Sequence, residues 1–177
     1  MVGQGLRGSL RGVLRGAVVV LLSWGFLVMG CGTAIAQLKE YAPPLSFSNA
    51  ELSNRDFSGQ FLRGAELSNA NLTNANFSNA HLEGTAISAS VLTDTNFSGA
   101  DLTNALMDSS QFLRTDLSNA VLLEAVLVGS TFEDIKIEGA DFSYALLGRY
   151  QLKQLCAIAS GRNPTTGIDT RESLGCP

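Results

Sequence analysis

From residue 45 to residue 149 this chain keeps a five-residue period without one insertion. Steps of five from Phe47 to Leu147 give 21 positions, and all 21 are large and apolar: Phe47, Leu52, Phe57, Leu62, Leu67, Leu72, Phe77, Leu82, Ile87, Leu92, Phe97, Leu102, Met107, Phe112, Leu117, Leu122, Leu127, Phe132, Ile137, Phe142 and Leu147. A period of five is neither the 3.6 of an amphipathic helix nor the 2 of a strand. It demands a repeat architecture, in which each short unit buries its apolar residue only by stacking on its neighbours.

One unit can be read position by position. Two residues before each centre stands Ala, Ser or Thr in 17 of the 21 units; Leu45, Arg55, Gln60 and Ile135 are the exceptions. The residue between is mostly polar, as in Ala70-Asn71-Leu72. In-out-in over three residues is the alternation of an extended strand. Two residues after the centre comes Asn, Gly or Asp in 15 of 21 units, and these tolerate left-handed backbone angles or close their own turn. Each unit is therefore a short strand followed by a corner. Central phenylalanines should stack on like neighbours one coil away. Pairs four units apart occur three times, Phe57–Phe77, Phe77–Phe97 and Phe112–Phe132, against one pair three units apart and none five units apart. Four sides per coil fit best.

Units such as Ala65-Glu66-Leu67-Ser68-Asn69 and Ala70-Asn71-Leu72-Thr73-Asn74 resemble the pentapeptide repeat family, over about 105 of the 177 residues. That resemblance implies an all-β fold: a right-handed quadrilateral β-helix of about five coils.

Residues 1–36 stand outside the repeat. Arg7, Arg11 and Arg15 precede an apolar run, Ala17 to Met29, and Ala34-Ile35-Ala36 follows. A basic start, a short apolar stretch and small residues before Gln37 form a secretory signal, cleaved after Ala36. The run is shorter than the roughly 20 residues that a membrane span needs, so no membrane contact is expected after cleavage. A competing reading makes Gly30-Cys31 a lipoprotein cleavage site, with Cys31 carrying a lipid anchor. After cleavage at Ala36 two cysteines remain, Cys156 and Cys176. An even count in an exported chain argues for a disulfide, and a redox or metal role lacks partners.

An open β-column needs closed ends. Residues 37–44, ending Pro43-Pro44, are expected to cover the first coil. In residues 150–161, Leu152, Leu155, Cys156 and Ala159 fall at helical spacing, with Gly161 as a stop and Pro164 preventing resumption. They predict a short helix over the last coil, with the tail to Pro177 stapled by Cys156–Cys176. Leu155-Cys156-Ala157-Ile158-Ala159-Ser160-Gly161 and Asp169-Thr170-Arg171-Glu172-Ser173-Leu174-Gly175-Cys176 resemble the tail of thylakoid-lumen pentapeptide repeat proteins of cyanobacteria and chloroplasts. The location implied is the thylakoid lumen or the periplasm, in a photosynthetic organism; no reaction is implied.

Chemistry is sparse. His81 is the only histidine and sits at an outward position. Carboxylates recur at outward positions, Glu51, Asp56, Glu66, Asp101, Asp116 and Asp141, where the repeat itself favours them. No metal motif or cofactor loop is present, so no enzyme and no cofactor are expected. An enzyme or ligand-binding protein using the outward carboxylates is the runner-up. Three cations leave with residues 1–36, so the remainder carries 9 Lys and Arg against 16 Asp and Glu, a net charge of −7. That balance disfavours nucleic-acid binding. Some family members are acidic columns that mimic DNA and bind topoisomerases, but an exported chain would not meet that partner. The one surface anomaly is apolar. Leu106, Val126 and Leu146 fall four units apart at outward positions, with Val121, Leu123 and Val128 in neighbouring outward slots. Such a patch usually marks contact. The expected occupant is a fold-back of the chain's own C-terminal segment, a protein partner, or a second copy giving a homodimer. The sequence thus predicts a non-enzymatic structural or protein-interaction scaffold.

Overall fold

The computed structural model describes residues 45–177. The expected cleavage after Ala36, the alternative anchor at Cys31 and the cover from residues 37–44 all lie outside the described residues.

From Leu45 onward the chain winds in parallel coils of four units each. Bridges join each outward residue to its counterpart one coil later, and four ladders result. The first is Ser46, Glu66, Ala86, Leu106, Val126 and Leu146. The second runs Glu51, Asn71, Val91, Gln111, Thr131, and the third Asp56, Asn76, Asn96, Asp116, Lys136. The fourth is Phe61, His81, Asp101, Val121, Asp141. On the second ladder the pairing lengthens into two short strands, β1 (Gln111–Leu113) and β2 (Thr131–Glu133), which are parallel and in register.

The corners follow from backbone sterics. All twenty residues in steps of five from Asn49 to Tyr144 have positive φ, between 51° and 79°. Asn, Gly and Asp hold fifteen of these corners, but Ala89, Ser109, Arg114, Glu124 and Tyr144 adopt the same left-handed angles. A residue with a Cβ loses roughly 1–2 kcal/mol there. Ala89→Asn is therefore expected to stabilise the column by about 0.5–1 kcal/mol, seen as a higher urea midpoint; an unchanged or lower midpoint would show the corner to be unstrained.

The interior alternates by size. Leu67, Leu72, Phe77, Leu82, Ile87, Leu92, Phe97 and Leu102 are fully buried. Rings on successive coils touch: Phe57–Phe77 at 4.9 Å and Phe77–Phe97 at 5.1 Å, both stacked, and Phe112–Phe132 at 5.0 Å, tilted. The small inward positions also carry chemistry. Ser90, Ser110 and Ser130 donate their hydroxyls to the carbonyls of Leu67, Ile87 and Met107 at 2.8, 2.9 and 2.6 Å. Thr95 and Thr115 do the same to Leu72 and Leu92. Each buried hydroxyl thereby satisfies itself and a carbonyl of an earlier turn, avoiding the cost of an unpaired polar group in the core. The four large exceptions at these positions fall in the first described coil (Leu45, Arg55, Gln60) or near the last (Ile135), at the two ends of the described stack.

After the last corner the chain turns helical. α1 spans Arg149–Ile158 and α2 Thr170–Ser173. α1 starts within one residue of the expected Tyr150 but ends at Ile158, before Gly161. Gly161 serves the tail instead: at φ +80°, any Cβ would meet Gly139 N at 2.8 Å, so only glycine lets the tail lie this close to the corner. Gln151 ties α1 to the column through Nε2, which donates to the Leu127 and Ser130 carbonyls at 2.7 Å each, and Leu155 is fully buried. Cys156 of α1 and Cys176 are joined by a disulfide.

Candidate interaction surface

The outward carboxylates do not assemble into a site. Glu66 stands on the first ladder, Glu51 on the second, Asp56 and Asp116 on the third, Asp101 and Asp141 on the fourth. Asp101 and Asp141 are two rungs apart, or about 9.6 Å, with Val121 between. Their role is local. Asp56, Asp101, Asp116 and Asp141 each accept the backbone N–H two residues on, at 2.9 to 3.0 Å. Asn71, Asn76 and Asn96 do likewise. That bond closes the corner, which is why Asn and Asp recur at this position.

Electrostatics agree. The Ser58 backbone N–H holds the Asp56 carboxyl below its usual range, and hydrogen bonds from Ser53 and Asn71 do the same for Glu51. The Arg114 guanidinium grips Asp94 through two bonds, at 2.7 and 2.6 Å, and lowers it too. Burial pushes the Glu83 carboxyl up, but its hydrogen bond and ion pair with Arg63 outweigh this and leave it low. A general acid at neutral pH needs the opposite displacement. His81 lies flat against Phe61, ring centroids 4.3 Å apart, with Nδ1 3.9 Å from Glu83 Oε1. Among the described residues no group of three His, Cys, Asp or Glu could hold a metal ion, and no helix is long and apolar enough to cross a membrane.

A cleft of about 540 Å³ opens at the C-terminal end of the column, between Phe142–Ala145, Leu147, Leu152 of α1, Ile168 and the Glu172–Gly175 segment. None of the six outward carboxylates and no histidine lines it.

The apolar patch divides in two. Val121, expected to face outward, is buried at 8% exposure. The tail is the reason. Asn163, itself 1% exposed, donates through Nδ2 to the carbonyls of Asn119, Ala120 and Gly139 at 3.2, 3.1 and 2.9 Å. Gly139 N–H donates to Ser160 O, and Phe142 N–H to Ser173 Oγ. These bonds lay the tail over the lower end of the fourth ladder, where Asp141 is also buried. The first ladder stays open: Leu106 is 45% exposed, Leu146 57%, Val128 49%, with Val126 and Leu123 half-buried. The same in-out rule marks Phe61, an outward position now 76% exposed, which belongs with the surface apolar residues. Tyr144 and Tyr150 are also exposed; neither position is apolar-periodic, so nothing in the repeat singles them out.

The model of a family described as pentapeptide repeats matches residues 46–84, 71–108, 87–122 and 110–143, eight copies in all. A thylakoid lumenal protein of the chloroplast of Arabidopsis thaliana, TL20.3, is 61% identical over 41 residues, which is 23% of this chain and 15% of that protein. The match thus spans less than a sixth of that relative's length. Among solved structures, a pentapeptide repeat protein from the Arabidopsis thaliana thylakoid lumen is 29% identical, covering 71% of this chain and 90% of that one, with a TM-score of 0.46. A pentapeptide repeat protein from the cyanobacterium Nostoc is 28% identical, covering 52% of this chain and 84% of that one, with a TM-score of 0.47.

Proposed function

Because this chain belongs to the pentapeptide repeat family, we propose that it is a non-enzymatic, exported scaffold that holds a protein partner. Its body is a right-handed quadrilateral β-helix of slightly over five coils, closed at the C-terminal end by α1 and the stapled tail. It works in the thylakoid lumen or the periplasm. The basic-then-apolar start of the chain and the likeness to a thylakoid lumenal protein support that compartment, as does a disulfide, which persists in oxidising spaces.

One observation carries the interaction role. Leu106, Val126 and Leu146 form a continuous apolar ladder on a rigid face, while the chain's own tail covers the neighbouring ladder and leaves this one bare. Solvent-facing positions elsewhere on the column are mostly Asn, Asp, Glu, Ser or Thr. Apolar surface held open at fixed spacing favours association.

Affinity capture from lumenal extract tests the role, comparing the wild type with Leu106→Asp plus Val126→Asp. Both side chains point outward, so the double variant should keep its circular dichroism. The partner retained by the wild type should fall by about tenfold or more, since two buried apolar contacts and two newly desolvated charges weigh against it. Equal recovery by both proteins would remove this face as the interaction surface.

A further inference from the structure

The open ladder has dimensions as well as chemistry. Its rungs are successive bridge partners, so Leu106, Val126 and Leu146 stand about 4.8 Å apart up the column. Each side of the coil is a strand of three extended residues, hence a face about 10 Å wide. An α-helix with its side chains is about 10–12 Å across and climbs about 5.4 Å per turn. Laid along the column axis it fills one face, and its residues at successive turns meet successive rungs, drifting by only about 1 Å over the three.

The edges add charge and anchors. Val128 and Leu123, at the corners either side of Val126, widen the apolar strip. Asp108 stands on one corner of the strip and Glu124 on the other, and neither is in an ion pair among the described residues; Arg149 follows below Leu146. Tyr144 and Tyr150, two residues before Leu146 and four after it, are 81% and 74% exposed, the kind of side chain enriched at interfaces.

Resting on the scaffold reading above, we propose that this face docks an amphipathic α-helix of its partner, aligned with the column axis. The helix places an apolar stripe on Leu106, Val126 and Leu146, and lysines or arginines beside that stripe meet Asp108 and Glu124.

A synthetic peptide of about 18 residues, with leucines at helical i, i+4, i+7 and i+11 spacing and lysine flanks, is the direct probe. Its isomer with glutamate flanks is the control, both followed by fluorescence anisotropy against the protein. The lysine peptide should bind saturably, and the glutamate isomer about tenfold or more weaker. Leu106→Asp plus Val126→Asp should lose about tenfold or more, and Glu124→Lys a few-fold, with a shallower salt dependence. Equal binding of both peptides, or no loss in the double variant, overturns the proposal. Patch-dependent capture of a partner from extract alongside no peptide binding also overturns it, and leaves the scaffold role standing. A dimer that the double variant dissolves would assign the face to a second copy and overturn it too.

Discussion

Phe97→Ala should lower the unfolding free energy by about 3–5 kcal/mol, the largest effect expected of any single side chain described above. Phe97 is fully buried in the middle of the stack, its ring lying parallel to Phe77 at 5.1 Å. Truncation leaves a void that neither neighbouring coil can fill, because their backbones are pinned by bridges above and below. In a column each coil contacts only its neighbours, so a void at mid-height weakens both interfaces of that coil. Phe57→Ala is the internal control. Phe57 occupies the first described coil and is only half-buried, so its loss should cost less than half as much. Urea denaturation of both variants settles the point; a Phe97 cost no greater than that of Phe57 would mean that the ladder is not the core.

The second large effect concerns the staple. Breaking Cys156–Cys176, by reduction or by replacing both with serine, should cost about 3 kcal/mol, the entropic worth of a cross-link that closes a loop of this modest length. The loss should be local first. The tail stays on the column through Asn163, Gly161 and Ser173, and Arg171 donates to the Cys156 and Pro177 carbonyls at 3.0 and 2.8 Å. Without the cross-link these bonds alone must hold a segment of little helical content. Trypsin should then cut after Arg162 and Arg171 much faster than in the oxidised protein, while the coils above remain resistant. Equal cleavage rates in both forms would show that the hydrogen bonds suffice without the cross-link.

The architecture was open to reading because the interior repeats. A residue buried at every fifth position can only be a side of a coil, and like-on-like phenylalanines pointed to four sides. The first coil broke the small-residue rule for a reason the sequence does not display: among the described residues Arg55 and Gln60 have no coil above them to crowd, and both are exposed. The corners were half visible. Asn, Gly and Asp signal left-handed angles, whereas Glu124 and Tyr144 take the same angles because the stacked coils impose them. Val121 holds the outward slot that the period gives it, between Asp101 and Asp141, and the C-terminal segment folds back beside it. Which slots that segment covers was not legible: Asn163 bonds to the carbonyls of Asn119 and Ala120, and no periodicity encodes a contact made once. Leu106, Val126 and Leu146 were legible as a ladder because they share the period of everything else.

The four-unit pitch has a consequence for how such a chain can change length. Removing or duplicating one full turn returns every outward position to its own face, so the column grows or shrinks like a stack of tiles. Losing a single unit above Leu106 instead swings all that follows through a quarter rotation. Pairs below the cut, Phe112 and Phe132 among them, would keep each other, but every rung that spans the cut would change partner, and the bare hydrocarbon strip would no longer continue the face of Ser46 and Glu66 above it. Length variation in this chain is therefore tolerated in whole turns, and the surface it presents is protected by the same rule.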